Sequence, residues 1–262
     1  LDIREKYFEK VTGVFKFQII STQSGMLAGM SHLMQSAKEI GIELGKHLND
    51  GALLNPGSII CVGYGSALQI ALAEDSLMSV IGKASGVASA AHHATVLADG
   101  KAEIVCGAWK KIPNLMKSLL RDAIMLSGAG IRISKKPFLY LDKNYLRLTG
   151  GIQDASRLGA EFNDRILVIQ LKGEFGSIVE ETKVALKCGA AILMVDTGSI
   201  QDLKEVRKTA ESLDADIQIG FAGSVTPDRI IDAIDAGANI VCIGRSIIDA
   251  PLLDFRLDVL QN

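Results

Sequence analysis

Two glycine-bearing turns toward the C-terminal end carry the clearest chemistry in this sequence. Phe221-Ala222-Gly223-Ser224-Val225 follows one apolar run, and Gly244-Arg245-Ser246 follows the next. Glycine lets backbone N–H groups come close to phosphate oxygens, and a following helix N-terminus adds partial positive charge. Gly223, Ser224 and Gly244 are therefore candidate phosphate contacts, and Arg245 offers a guanidinium fork to the same anion. Plain tight turns between strand and helix would use the same residues. Asp142 and Asp196 stand just past two other apolar runs. Two carboxylates there, Asp196 above all, can hold Mg2+ on a phosphorylated substrate; a helix cap or a loop ion pair needs the same residue type. Lys110 and Lys111 follow a further run, where they can meet an anion or remain solvated. His92-His93 sits in an alanine-rich stretch and no histidine follows it, which argues against a histidine base or a His-ligated metal at these turns.

Such residues need strands that end beside one another. Apolar runs at 102–108, 138–142, 165–171, 191–196, 216–220 and 239–243 read as strands buried on both faces. Gly189-Ala190 and Gly237-Ala238, with a weaker copy at Gly159-Ala160, close a helix before three of them. This alternation predicts an α/β protein with a parallel sheet, and the strand count predicts an incomplete parallel α/β barrel of about six to seven strands. Before it, Phe17 to Thr22 and Gly57 to Gly63 read as strands, and Gly25 to Gly29 as a tight connection. Leu33, Ala37, Ile40, Leu44 and Leu48 predict one helix from Ser31 to Leu48, stopped by Asn49-Asp50-Gly51. Ala67 to Leu97 reads as a helix whose small residues, Ala84 to Ala91, suit burial against a neighbour. The expected division is an N-terminal α/β sandwich-like domain over 1–99, joined by the segment 250–262, and a barrel with phosphate-binding loops over 100–249.

The composition excludes several classes. A formal net charge of -2 gives no electrostatic case for nucleic acid or an anionic membrane. The uncharged stretch 51–73 is long enough to span a bilayer, but Asn55-Pro56-Gly57-Ser58 and Gly63-Tyr64-Gly65-Ser66 break it twice. Cys61, Cys106, Cys188 and Cys242 lack metal-ligand spacing, so reduced thiols and a cytoplasmic protein are expected.

Read end to end, the chain resembles the quinolinate phosphoribosyltransferases, the carboxylating nicotinate-nucleotide pyrophosphorylases. Gly25-Met26-Leu27-Ala28-Gly29 is similar to the family's G-V-L-A-G, and Glu74 to Ser89 to its E-R-x-x-L-N helix leading into S-G-I-A-T. Lys110 and Pro113 match T-R-K-T-x-P-G, Arg132 matches H-R, and Asn144 matches K-D-N-H. Val195-Asp196-Thr197 resembles L-D-N, Ala222 to Val225 resembles S-G-G-I, and Ala250 to Asp254 resembles A-P-A-L-D. The resemblance implies an incomplete barrel and a homodimer or larger assembly in which one N-terminal domain covers the partner's barrel mouth. It also implies transfer of ribose 5-phosphate from phosphoribosyl pyrophosphate to quinolinate with Mg2+, releasing pyrophosphate and carbon dioxide. Carried over by position, Lys110, Arg132, Asp142 and Asp196 become the catalytic candidates. Trp109, Lys111, Asn144, Gly223, Ser224, Gly244 and Arg245 become the phosphate and substrate contacts.

The departures from the family pattern concentrate at the acid-binding end. Asp75, Trp109, Ile131 and Asp142 stand where the resemblance implies two arginines, a histidine and a lysine. The expectation is a divergent phosphoribosyltransferase acting on a pyridine-carboxylate-like acceptor other than quinolinate, with Trp109 stacking on a less charged ring. Two alternatives stay open: a decarboxylase or isomerase of a sugar phosphate, using Asp142-Lys143, and a catalytically silent ligand-binding relative.

Overall fold

The computed structural model describes residues 2–261. The elements run, in chain order, α1 (Ile3–Tyr7), β1 (Phe15–Ser21), β2 (Gly25–Met26), α2 (Met30–Ile40), β3 (Glu43–His47), β4 (Leu53–Leu54), β5 (Ile59–Gly65) and α3 (Ala67–Ala98). They continue with β6 (Glu103–Val105), α4 (Lys117–Leu126), β7 (Phe138–Leu141), α5 (Lys143–Thr149), α6 (Ile152–Gly159) and β8 (Ile166–Leu171). The remainder is α7 (Ile178–Lys187), β9 (Ile192–Val195), α8 (Ile200–Ser212), β10 (Gln218–Phe221), α9 (Ile230–Asp235), β11 (Ile240–Cys242), α10 (Arg245–Ile248) and β12 (Phe255–Leu260).

Contacts divide the described residues into two units. The first holds the residues up to His92, Lys110–Gly128 and those from Ile247 on; the second holds His93–Trp109 and Ala129–Ser246.

In the first unit an antiparallel sheet of order β12-β1-β5-β3 packs Phe17, Ile19 and Ile60 against Leu33, Leu77 and Ile81. Ser85 and Ser89 on α3 stitch the Gly25–Gly29 connection in place. Ser85 Oγ accepts from Ala28 N at 3.0 Å, and Ser89 Oγ accepts from Met26 N at 2.8 Å. Ala84 and Ala88 let Ala123 and Leu119 of α4 pack closely, the neighbour that the run of small residues calls for. The helix expected over 31–48 is shorter. Gly41, with φ 82°, ends α2 by donating to the Ala37 and Lys38 carbonyls, and 43–47 continues as edge strand β3. Leu44 keeps the helical spacing by coincidence, because it packs on the same core from a strand. Asn49-Asp50-Gly51 therefore forms a turn after β3, and the Asp50 carboxylate reaches back to Met30 N at 2.9 Å, capping α2 from a distance.

In the second unit all six expected strands are present, in parallel, in the order β6-β11-β10-β9-β8-β7. Val105 from one edge strand joins Phe138 and Tyr140 from the other edge in a single interior cluster, so the sheet curls on itself. A seventh position is reduced to one parallel bridge, Val105 with Gly130. The barrel is thus incomplete, and helices α5 to α9 follow the strands as in βαβ units. Among the described residues no helix is long and apolar enough to cross a membrane.

Candidate functional site

Strand alternation decides which side chains reach the interior of the second unit. Val168, Ile192, Met194 and Ile240, with Tyr140 and Cys242 beside them, face inward, while Ile169, Leu171, Leu193 and Val195 are buried on the opposite face. A Cβ on Gly220 would overlap the Met194 sulfur, so the bare glycine makes room for that thioether inside the barrel. Counting on by two places Gln170 on the inward face, followed by Asp142, Lys172 and Asp196 at the C-terminal strand ends, the rim where βα barrels keep their chemistry.

Gln170, Lys172 and Asp196 form one polar network with the backbone of Lys143. The Gln170 amide nitrogen donates to Asp196 Oδ2, and its amide oxygen accepts from Lys143 N at 2.6 Å. The Lys172 ammonium donates to the Asp196 carbonyl at 2.5 Å and lies 3.7 Å from Asp196 Oδ2. Glu181 on α7, only 2% exposed, fixes the loop that carries Lys172. Its carboxylate accepts from the backbone N–H groups of Lys172, Gly173 and Phe175 at 2.8–2.9 Å. Below them, burial and the nearby Asp196 carboxylate push the Tyr140 phenol well above its ordinary range, so it stays neutral. The Cys242 thiol is pushed up to about 12, chiefly by burial and then by Asp196.

The glycine turns lock together at the same rim. Gly198, with φ 71°, and Gly223, with φ 101°, are packed so closely that a Cβ on either would strike the other's backbone. Gly198 N donates to the Ala222 carbonyl at 3.0 Å, and the Arg229 guanidinium donates to the Gly198 carbonyl at 2.8 Å. Ser224 follows in the left-handed region, with φ 58°, and is exposed. Gly244 packs against Ala108, and Arg245 opens the short helix α10 with its side chain exposed.

The other sequence candidates fall as follows. Asp142 is the N-cap of α5: its Oδ1 accepts from Asn144 N at 2.8 Å and Tyr145 N at 3.1 Å, and Asn144 itself is exposed on that helix. Trp109 donates its indole N–H to the Ile131 carbonyl at 3.1 Å, and exposed Arg132 stacks over Phe138 at 5.4 Å. Lys110 and Lys111, both exposed, belong to the first unit, whereas Trp109 and Arg132 belong to the second. Asp75 of the first unit receives Arg4 at 2.5 Å, and Arg4 is also forked by Asp2. Sequence reasoning passed over Gln170, Lys172, Glu181, Gly198 and Arg229. For Gln170 and Lys172 a signal exists, since they break an otherwise apolar run at alternate positions.

Asp196 does not fit a metal held by the chain. Its Oδ2 already takes an amide hydrogen and faces an ammonium, and the described residues contain no group of three or more His, Cys, Asp or Glu placed to share an ion.

An incomplete parallel barrel with an antiparallel N-terminal sheet, and with paired glycine turns at the strand ends, places the chain among the incomplete-barrel α/β proteins. Comparison with known proteins sharpens this. The family model for the quinolinate phosphoribosyl transferase N-terminal domain matches residues 2–85, and that for the C-terminal domain matches 87–258. The chain belongs to the quinolinate phosphoribosyl transferase family, a family of enzymes. It is 26% identical over 251 residues to a protein of Archaeoglobus fulgidus named probable nicotinate-nucleotide pyrophosphorylase (carboxylating), covering 93% of each chain. Identity to the human nicotinate-nucleotide pyrophosphorylase is 22% over 236 residues, covering 89% of this chain and 78% of that one. The fold matches the nicotinate-nucleotide pyrophosphorylase structure from Pyrococcus furiosus with a TM-score of 0.85 at 17% identity, over 98% of this chain and 72% of that one. For the Francisella tularensis protein the TM-score is 0.82 at 17% identity, over 98% and 94%.

Proposed function

We propose that this chain transfers ribose 5-phosphate from phosphoribosyl pyrophosphate to a pyridine-carboxylate-like acceptor. The observation that carries the reading is the rim itself: the locked Gly198–Gly223 turns stand beside the Asp196–Lys172 pair at adjoining strand ends. Transfer requires the bond from ribose C1 to pyrophosphate to break while a ring nitrogen supplies its lone pair to C1. Positive charge builds on the ribose and negative charge on the leaving pyrophosphate. An ammonium that turns toward phosphate leaves the Asp196 carboxylate facing the developing cation, which stabilises the transition state more than the ground state.

The acceptor differs from quinolinate in this reading. Asp75 is paired with Arg4, Trp109 spends its N–H on Ile131, and Asp142 caps α5. Three of the four residues that replace a family cation or histidine have other partners here, so a second carboxylate on the acceptor finds fewer partners. A lost charge-assisted contact costs roughly 1.5–3 kcal/mol. The assembly follows the family pattern, a homodimer whose sites are completed across the interface.

Pyrophosphate release from phosphoribosyl pyrophosphate and Mg2+, measured with quinolinate and with pyridine monocarboxylates, tests the proposal. Release with a monocarboxylate at higher kcat/KM than with quinolinate is expected. Efficient turnover of quinolinate would reject the acceptor assignment, and no release with any acceptor would reject the transferase. Sedimentation equilibrium that returned a monomer would reject the shared site.

A further inference from the structure

We infer that Lys172 takes the place of a protein-held divalent cation at this rim, so that the substrate's phosphate is bound through an ammonium fixed by the chain. The inference rests on the reading of the rim as a phosphate-ester site and deepens it.

Three observations converge. The Lys172 ammonium lies on Asp196, 2.5 Å from its carbonyl and 3.7 Å from Oδ2, and a divalent ion on the same carboxylate would meet that ammonium head-on. Gln170 occupies the Oδ2 side from the neighbouring strand, and its own amide oxygen is held by Lys143 N, so it cannot turn away without losing two hydrogen bonds. The position of Lys172 is also built rather than incidental. Buried Glu181 holds the backbone N–H groups of Lys172, Gly173 and Phe175, fixing the start of the loop and with it the root of the side chain. An ammonium has three hydrogens. The bond to the Asp196 carbonyl uses one of them, which leaves hydrogens for a phosphate oxygen, and the stem is flexible enough to reach it. Any Mg2+ then travels on the pyrophosphate oxygens of the substrate.

Ribose 5-phosphate is the deciding probe, because it lacks the pyrophosphate that chelates Mg2+ by itself. Its binding is measured by calorimetry in EDTA and in Mg2+, with phosphoribosyl pyrophosphate plus Mg2+ in parallel. Mn2+ binding to the ligand-free protein is followed by electron paramagnetic resonance. The wild-type chain is expected to bind ribose 5-phosphate equally, within about twofold, in both buffers and to bind no Mn2+ below millimolar concentration. Lys172→Met should weaken ribose 5-phosphate by about tenfold or more in EDTA. Lys172→Arg should keep the metal-independent binding, which separates lost charge from lost folding. Wild-type binding of ribose 5-phosphate only with Mg2+, or tight Mn2+ binding without ligand, overturns the inference while leaving the phosphate-ester reading intact. If neither sugar phosphate binds under any condition, that reading falls and the inference with it.

Discussion

The side-chain amide of Gln170 joins two strand ends, donating to the Asp196 carboxylate just past β9 while accepting from Lys143 N after β7. Gln170 is buried on the central strand of the three, so its amide cannot be replaced by water without opening the rim. Gln170→Leu removes two hydrogen bonds from a part-buried site and should destabilise the fold by about 1–3 kcal/mol. Urea unfolding checks this; a midpoint unchanged from wild type would mean the network carries no stability.

Glu181 is the anchor one layer behind. Glu181→Ala strips three backbone N–H groups of a charged acceptor and should cost roughly 3 kcal/mol or more. Glu181→Gln keeps the shape and part of the bonding, so it should cost less. Hydrogen exchange at Lys172, Gly173 and Phe175 should rise in both variants, and protection equal to wild type would contradict the assignment.

Gly198 and Gly223 exclude a Cβ on two counts, positive φ and the other's backbone. Gly198→Ala and Gly223→Ala should each lose about 1–3 kcal/mol and sugar-phosphate affinity with it. Gly57, also at positive φ but with open space around it, is the control. Gly57→Ala should retain full affinity, and if all three variants bind alike the loop contact has no part in binding.

Burial pushes the Cys61 thiol up to about 11 and the Cys242 thiol up to about 12. In the unfolded chain both ionise near the ordinary thiol value of about 8.5. Between that value and the folded ones the native state therefore holds more protons than the unfolded state, so stability falls as pH rises through this window. Thermal unfolding from pH 7 to pH 11 should show the decline, with a shallower slope in Cys242→Ala. At pH 8 alkylation should reach Cys188 well before the other three thiols, because Cys61 and Cys106 are buried and Cys242 is held neutral. Fast alkylation of Cys242 at pH 8 would contradict its being held neutral.

The strands of the barrel were legible because each is a local apolar run ended by turn residues. The family resemblance was legible because short motifs kept their order. The 31–48 segment was misread because Leu44 and Leu48 continue the helical period, and only Gly41 in the left-handed region breaks it. β12 escaped notice because an edge strand with alternating charge has no signal of its own until β1 pairs with it. At the site, Asp142 and Asp196 looked alike in sequence, each a carboxylate after an apolar run. One caps its own helix, and the other meets side chains from a neighbouring strand.

The sequence by itself determined the α/β alternation, the strand ends and the glycine turns, because these depend on contacts between residues close in the chain. Tertiary structure decided the partners of Asp196. Gln170 and Lys172 are 26 and 24 residues away along the chain and arrive only through parallel pairing of β8 with β9. It also decided that Gly198 and Gly223 must both be glycine, since their overlap exists only when two βα turns are pressed together. Parallel strands are joined by crossovers of a dozen or more residues, so the chemistry at their ends is always assembled from distant positions.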